Sequence, residues 1–510
     1  MNWTDGYNSE TDYTYSYCAE LNPLLINYSL VINGYAPVKI KRAHELGFGQ
    51  GISLNFHAAN KNIEWSGNDF MPEHVLFARK FAETVNINVD LSDQNFVEVS
   101  ENFRNVKFDY ICLHGVWSWI SEENRKAIKL FIRENLVDGG VVFISYNCKP
   151  GWASMVPIRD LLCNFIQTNI AQGISADEKT RDAIAFGDKL REIKSLYIEN
   201  NKSVQRKLDT TKNASRNYLA HEYFNKDWET FYFSQVETEM RDCKLSYGGS
   251  VDFRSNLDDI NLTSNMKQLV SEVVGEGFKK DLKDFLINQS FRKDLWIKGG
   301  TKLKISQQFE ELKKLRICLR SPDAEIEMCI LGNLGEAKLQ SEVYTPIISQ
   351  LIENKVVSVA DLISSTRMKV KASKVVEALH ILIAKNDVFV VHDEKTCKEM
   401  LKFSEKINLN IFQLVQNGVE FGFMQSPLTG GAVHLGKIEL LFTGSYIENK
   451  NISDQELVKR TWKIIQSLGQ KIVKDGSSLE DHESSLEELS SKLVNYKSEI
   501  YKTLVHLRLL

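Results

Sequence analysis

Proline is scarce in this chain, 8 in 510 residues, and no low-complexity or linker-like stretch accompanies it, so continuous packing is expected. Its eight cysteines (Cys18, Cys112, Cys148, Cys163, Cys243, Cys318, Cys329, Cys397) never form a C-x-x-C pair. Their scatter argues against structural zinc or a disulfide scaffold and points to reduced thiols; no metal is expected. No run reaches the roughly 18 apolar residues of a membrane span. Met1-Asn2-Trp3-Thr4-Asp5-Gly6 has neither the basic start nor the apolar stretch of a secretory signal, so a cytoplasmic location is expected. Neither charge sign dominates: 63 Lys+Arg against 67 Asp+Glu give a net charge of −4, and no global field gathers nucleic acid. What is present is ample core material, 43% hydrophobic residues, in a chain long enough for roughly two to four domains.

The first half alternates strand and helix. Strand-like runs fall at Lys41–Leu46, Asn62–Asn68, Asn86–Val89, Lys107–Leu113 and Val141–Ser145. Helices are expected over Ile52–Ala59, from Pro72 onward, and over Asn124–Leu136, the last closed by Asp138-Gly139-Gly140. Strands spaced by helices predict a parallel, doubly wound sheet, whose ligands sit beyond the carboxyl ends of the strands.

The strongest chemical signal is the turn after the first strand, where Gly47, Gly49 and Gly51 let the backbone bend sharply and approach a ligand. Asp69 lies 22 residues beyond Gly47 at the next strand end, close to the ~20 residues expected for a carboxylate that recognises a ribose. The spacing is G-x-G-x-G, not the pyrophosphate-binding G-x-G-x-x-G, and Glu45 stands two residues before the first glycine. A carboxylate there repels a pyrophosphate but pairs with the cationic end of an amino acid, which S-adenosylmethionine offers. The alternative for Glu45 is an ordinary strand-end residue.

Glu45-Leu46-Gly47-Phe48-Gly49-Gln50-Gly51 resembles motif I of class I S-adenosylmethionine-dependent methyltransferases. Tyr17-Cys18-Ala19-Glu20-Leu21-Asn22-Pro23, Phe108-Asp109-Tyr110-Ile111, His114 to Trp119, Ser145-Tyr146-Asn147, Pro150-Gly151-Trp152 and Tyr218 to Tyr223 narrow the resemblance. Together they are similar to bacterial methyltransferases with an appended methyltransferase regulatory domain, a family that includes rickettsial-type outer-membrane-protein lysine methyltransferases. The match runs from about Tyr13 to Gly300. It implies an α/β fold: a Rossmann-like seven-stranded sheet with a helical lid insertion, followed by winged-helix-like and α+β C-terminal domains. The implied cofactor is S-adenosyl-L-methionine. Glu45, Gly47, Phe48, Gly49 and Gly51 would serve its methionine and backbone side. Asp69 and Phe70 would hold the ribose and flank the adenine, Asp93 and Phe96 would serve the adenine, and His114 would lie where the methyl points. Gln94 and Asn95 depart from the small residues frequent in relatives.

Methyl transfer is an in-line displacement in which placement contributes up to ~7–11 kcal/mol. A lysine acceptor must also lose its proton, which a dry aromatic slot and a nearby base promote. The candidates for that work are His114, Trp117, Tyr146, Asn147, Tyr218, His221 and Glu222. Each has a plainer reading. Tryptophans after a strand pack in cores, His114 before Gly115 can be a structural histidine, and His221-Glu222 can be a helix-surface pair. Tyr13, Tyr15 and Tyr17 either fold over the site or cap a hydrophobic edge.

Ser175-Ala176-Asp177-Glu178 opens a predicted helix whose apolar stripe is Phe186, Leu190, Ile193 and Tyr197. A further helix is expected over Trp228–Cys243, a strand over Lys244–Tyr247 before Gly248-Gly249, and a closing strand within Phe291–Gly300. Helices at Val343–Glu353, after Ser358 and at Lys374–Ala384, then a strand at Val388–His392, form a winged-helix pattern with Arg367, Lys369, Lys371 and Lys374 nearby. The expected domains are an N-terminal segment (1–34) over the site, a methyltransferase core (35–155 and 218–305), a lid (156–217), a regulatory middle domain (306–400) and an accessory domain (401–510).

The function this predicts is methylation of lysine side chains on a bacterial outer-membrane or surface protein before export. The alternatives are O-methylation of a polysaccharide or small hydroxyl acceptor, and a non-catalytic S-adenosylmethionine-sensing DNA-binding regulator. Expected partners are therefore a protein substrate, an unfolded outer-membrane protein among the options, or a glycan acceptor. Nucleic acid is not expected, and a homodimer is left open.

Overall fold

The computed structural model describes residues 14–171, 173–211, 219, 225, 227–322, 325–479 and 481–510. Strands β1 (Arg42–Leu46), β2 (Glu64–Asn68), β3 (Asp90–Ser92), β4 (Phe108–Leu113), β5 (Leu136–Asn147), β6 (Ser246–Ser250) and β7 (Phe291–Ile297) form a seven-stranded sheet ordered β3-β2-β1-β4-β5-β7-β6. The first five are parallel, and β7 runs antiparallel between β5 and β6. This is the expected class I methyltransferase sheet, and its strand order reverses beside β1, where ligands of such sheets sit.

Both faces are buried, as in parallel sheets generally. Ala43, Tyr110, Cys112, Val141, Phe143 and Leu295 face helices α1 (Pro23–Ile32), α2 (Ile52–His57) and α3 (Pro72–Val85). Ile111, Leu113, Val142, Ile144, Tyr146 and Trp296 face α4 (Phe96–Asn102), α5 (Glu122–Asn135) and the helix Phe233–Asp242. Local chemistry starts these helices: Pro23 and Pro72 occupy first-turn positions, Asn22 caps α1, and Asn95 with Glu98 forms a capping box on α4.

Several elements depart from the sequence reading. The third strand begins at Asp90 because Asn86, at φ +60°, caps α3 in the left-handed conformation and the chain then crosses to the sheet. Asp138-Gly139-Gly140 does not close a helix. Helix α5 stops at Asn135, and the two glycines lie within β5, where Gly139 N–H donates to the Lys298 carbonyl and Lys298 N–H to the Gly140 carbonyl. Gly248 and Gly249 lie inside β6, since α1 crosses there: a Cβ on Gly249 would stand 2.3 Å from the Asn33 amide. The helix after the lid begins at Phe233, leaving Trp228 to pack on Trp152 with the Arg159 guanidinium over its ring.

The lid helices Val156–Asn169, Ala176–Glu192, Leu196–Glu199 and Lys202–Thr211 enclose a separate small core of Met155, Ile158, Leu162, Ala183, Ile198, Val204 and Leu208. Ser175 caps the second helix as expected. The predicted stripe does not run through, because Lys194 at φ +53° breaks the chain direction and leaves Ile193 exposed.

In the second half, β8 (Arg316–Leu319) is central in a three-stranded sheet ordered β11-β8-β12, with β11 at Val356–Ser358 and β12 at Val388–Val391. The hairpin β9 (Cys329–Gly332) and β10 (Gly335–Lys338) precedes the helices Ser341–Asn354, Val359–Thr366 and Ala372–Ala384. The helix Ala372–Ala384 buries Val375, Ala378, Leu379, Leu382 and Ile383, and His380 Nδ1 bonds Tyr28 Oη at 2.9 Å; Arg367, Lys369, Lys371 and Lys374 are exposed, Lys374 pairing with Glu377. The boundary expected between 400 and 401 falls inside the helix Glu394–Gln416, whose buried stripe from Cys397 to Val415 joins both regions.

The C-terminal module contains the hairpin β13 (Phe423–Gln425) and β14 (Ala432–His434), and its closing helices bury Leu489, Leu493, Tyr496, Leu504 and Leu507. The end of β13 and the loop after it grip the N-terminal core. Gln425 Nε2 donates to the Phe56 carbonyl, and Asn22 Nδ2 donates to the Thr429 carbonyl at 2.9 Å. Asn22 thus both caps α1 and ties the N-terminal segment to this module, so Asn22→Ala should lower stability by about 1–2 kcal/mol, read as a thermal shift. No helix among the described residues is long and apolar enough to cross a membrane.

Candidate active site

The turn after β1 is built by backbone geometry. Gly47, Gly49 and Gly51 all take positive φ (69°, 58° and 68°). Gly47 N–H donates to the Asn68 carbonyl, and Gly49 N–H donates to Asp69 Oδ2 at 2.8 Å. A Cβ on Gly47 would meet Val116 Cγ2 at 2.8 Å, with Phe96 Cζ next at 3.8 Å, so these two side chains wall one side of the turn. Asp69 is buried; its Oδ1 accepts from Met71 N–H and contacts His74 Nδ1, both at 3.0 Å. Asp69 therefore fixes the glycine turn and the start of α3, while Oδ2, with one backbone donor, keeps acceptor capacity for a hydroxyl.

Glu45 lies at the floor beneath this turn. It is 4% exposed, and its Oε2 has no hydrogen-bond partner. Burial, helped by the charge of Asp69, pushes its carboxyl up to about 8. An unpartnered buried acid at the end of β1 suits a cationic ligand group. Over it runs the segment that leads into α1: Cys18 N–H donates to Ser53 Oγ at 2.8 Å, and Tyr110 Oη donates to the Leu21 carbonyl at 3.1 Å.

Beyond β4 stands a second polar cluster. The His114 ring is parallel to Phe143 (6.0 Å between centroids, 3° between planes) and 6.1 Å from Phe291. Glu20 of the roofing turn is ion-paired with Lys293 of β7, and both charges act on His114. Burial draws the imidazole below its ordinary value; Glu20 pulls it back up and Lys293 pushes it further down. Ser145 Oγ accepts from Gly115 N–H at 2.8 Å, fixing the backbone beside His114. At the end of β5, Asn147 is 2% exposed with Nδ2 unpartnered, on the same sheet face as Phe143 and Ser145.

A family profile described as a predicted methyltransferase regulatory domain matches residues 215–298. The Synechocystis protein sll1526, itself uncharacterized, is 32% identical over 505 residues, 98% of either chain. The structure of PKMT2 from Rickettsia typhi in complex with AdoHcy superposes with a TM-score of 0.70 over 96% of this chain and 99% of that one, at 17% identity. The chain belongs to the family of sll1526, carries the methyltransferase regulatory domain over residues 215–298, and has the class I methyltransferase fold. Rickettsia prowazekii RP789 is a further relative, 26% identical over 57% of this chain and 52% of its own.

Within this fold, Glu45, Gly47, Gly49, Asp69 and Phe96 converge on the turn, and half-buried Phe70 follows Asp69. Asp93 stands exposed on the rim after β3. Phe48 and Gly51 depart from their predicted roles. The Phe48 ring packs down on Gly67 and Gly51, and Gly51 lets α2 approach α3, where a Cβ would meet that of Ala78 at 2.7 Å. Trp117 is a fully buried core residue. Tyr146 is also displaced from catalysis: neighbours on a strand point to opposite faces, so it turns away from Asn147 and donates to Asp294 Oδ2 at 2.7 Å. Tyr17 and Tyr15 anchor the roof from behind, on His57 and between Phe77 and Phe421. Tyr13, Tyr218, His221 and Glu222 lie outside the described residues. Sequence reasoning missed Val116, Glu20, Ser145 and Lys293 as members of the site; only the strand-end position of Ser145 carried a signal.

The raised Glu45 carboxyl gives a pH dependence. In the free protein it is protonated below about 8, and an ammonium or sulfonium beside it favours the ionised form. Binding a cationic ligand should therefore release up to one proton, and affinity should rise as pH increases from 6 toward 8, by at most tenfold per unit. Calorimetry with AdoHcy in buffers of different ionisation enthalpy measures the proton, and Glu45→Gln should abolish its release.

Proposed function

We propose that the protein transfers a methyl group from S-adenosylmethionine to lysine side chains of a bacterial surface or outer-membrane protein. The observation that carries the cofactor is the buried Glu45 carboxyl, its Oε2 unpartnered, beside a triple-glycine turn braced by Asp69. It fits a ligand that pairs a cationic amino acid end with a ribose diol. The amine reading is supported by the half-buried His114, held on Phe143 beside Phe291 and facing Glu20. Burial favours the neutral imidazole, able to take a proton, and an aromatic wall favours the uncharged amine that must attack. When bound, S-adenosylmethionine supplies the electrophilic methyl. Asn147, buried at the end of β5 on the same sheet face as Phe143, offers an unpartnered amide donor.

Incubating the purified protein with methyl-labelled S-adenosylmethionine and a bacterial lysate, separated into protein and glycan fractions, tests this. Mass spectrometry should find the label on lysine. Label confined to glycan overturns the lysine acceptor in favour of a hydroxyl.

A further inference from the structure

We propose that Glu20 is a positioning residue of the methyl-transfer site: fixed by Lys293, its carboxylate is the counter-charge for a proton that His114 takes from an acceptor ammonium. The inference rests on the amine reading above and adds to it a group that stands some 90 residues away in sequence and was not expected there.

Three observations place Glu20 in this role. It sits on the single 3-10 turn Ala19–Leu21, which is fixed on one side by Cys18 N–H on Ser53 Oγ and on the other by Tyr110 Oη on the Leu21 carbonyl. Its ion pair with Lys293 is partly buried, the side chains being 22% and 27% exposed. Lys293 pairs across the sheet with Ser145, whose Oγ holds Gly115 N–H next to His114, and Phe291, two residues along the same face, lies 6.1 Å from the imidazole; Lys293 thus brings Glu20 to the His114 side, while Phe143 and Phe291 bring no charge. Burial works against an ionised Glu20, but the imidazolium form of His114 and the Lys293 ammonium outweigh it and hold the carboxyl below its usual range. Glu20 is therefore a weak base and a standing negative charge, whereas His114 is neutral and free to accept.

The proton balance is simple. The acceptor ammonium gives one proton to an imidazole nitrogen of His114, and the imidazolium formed is stabilised by Glu20. The freed nitrogen lone pair forms the N–CH3 bond as the C–S bond breaks with its electrons left on sulfur, and the imidazolium then returns its proton to water. Lys293 sets the balance by opposing the imidazolium; without it the charge of Glu20, on a turn held by the bonds of Cys18 and Leu21, acts unopposed.

The test is an NMR titration of the His114 imidazole in the full-length, cofactor-free protein, with His114→Gln used for assignment. Glu20→Gln should lower its pKa by about one pH unit, and Lys293→Met should raise it by a similar amount. Opposite signs separate electrostatic coupling from general damage to the fold. The acid limb of kcat/KM for methyl transfer should move in the same two directions. Unmoved titrations, or shifts of the same sign in both variants, overturn the proposal even if lysine is methylated. If the shifts appear but label goes only to hydroxyls, the coupling of Glu20 to His114 stands and the ammonium as proton source is overturned.

Discussion

Gly49→Val should abolish detectable AdoHcy binding while leaving the far-ultraviolet circular dichroism of the chain unchanged. Gly49 holds φ +58° between two other left-handed glycines, and its N–H is the donor that fixes Asp69 Oδ2. A β-branched residue is strained there by roughly 1–3 kcal/mol. Relaxing that strain swings the N–H off Asp69, so the ribose-facing carboxylate loses its brace at the same time. Together these should weaken binding at least 100-fold, about 2.7 kcal/mol. Gly49→Ala, which adds a smaller group at the same φ, should lose about tenfold. Titration calorimetry reads both; unchanged affinity in the valine variant would place the cofactor elsewhere.

The largest stability effect should come from Arg292→Met. Arg292 is buried between two acids, with Nη1 on Asp284 Oδ1 at 2.7 Å and Nε and Nη2 on Asp294 at 2.7 and 2.9 Å. Tyr146 Oη donates to the same Asp294, which is completely buried. Removing the guanidinium leaves two carboxylates in the core without a cation, a situation that costs about 3–5 kcal/mol. Asp284 is already pushed up to about 6, by burial first and by Asp294, and without Arg292 it should rise further. The first transition in urea should therefore move to markedly lower concentration. Tyr146→Phe removes one hydrogen bond to a charged group and should cost about 1.5–3 kcal/mol with AdoHcy affinity intact, because that hydroxyl lies on the opposite side of the sheet from His114. Loss of affinity in that variant would return Tyr146 to the site.

The relation between the halves of the chain is as informative as the site. The hairpin loop of the C-terminal module holds Asn22 and the Phe56 carbonyl, and Gly431 lies tight against the Tyr17 hydroxyl. The roof over Glu45 is thus clamped between the sheet and a module more than 400 residues away in sequence, which gives the accessory region a direct hold on the cofactor end of the site.

The sequence by itself determined the alternation of strands and helices, the glycine turn, Glu45 and Asp69 at strand ends, and the capping residues Ser175 and Ser358, since these depend on neighbours within a few positions. It misjudged Asp138-Gly139-Gly140 and Gly248-Gly249 as stops. Whether a glycine ends an element or lies within it depends on what crosses over it, here β7's continuation and α1. Only the tertiary structure decided that Tyr146 and Asn147, adjacent in the chain, serve opposite faces, one joined to a buried ion network and the other open to the site. It alone brought Glu20, His114 and Lys293 together from three distant segments, because strand order and the path of the roof, not spacing along the chain, determine which charges share one low-dielectric space.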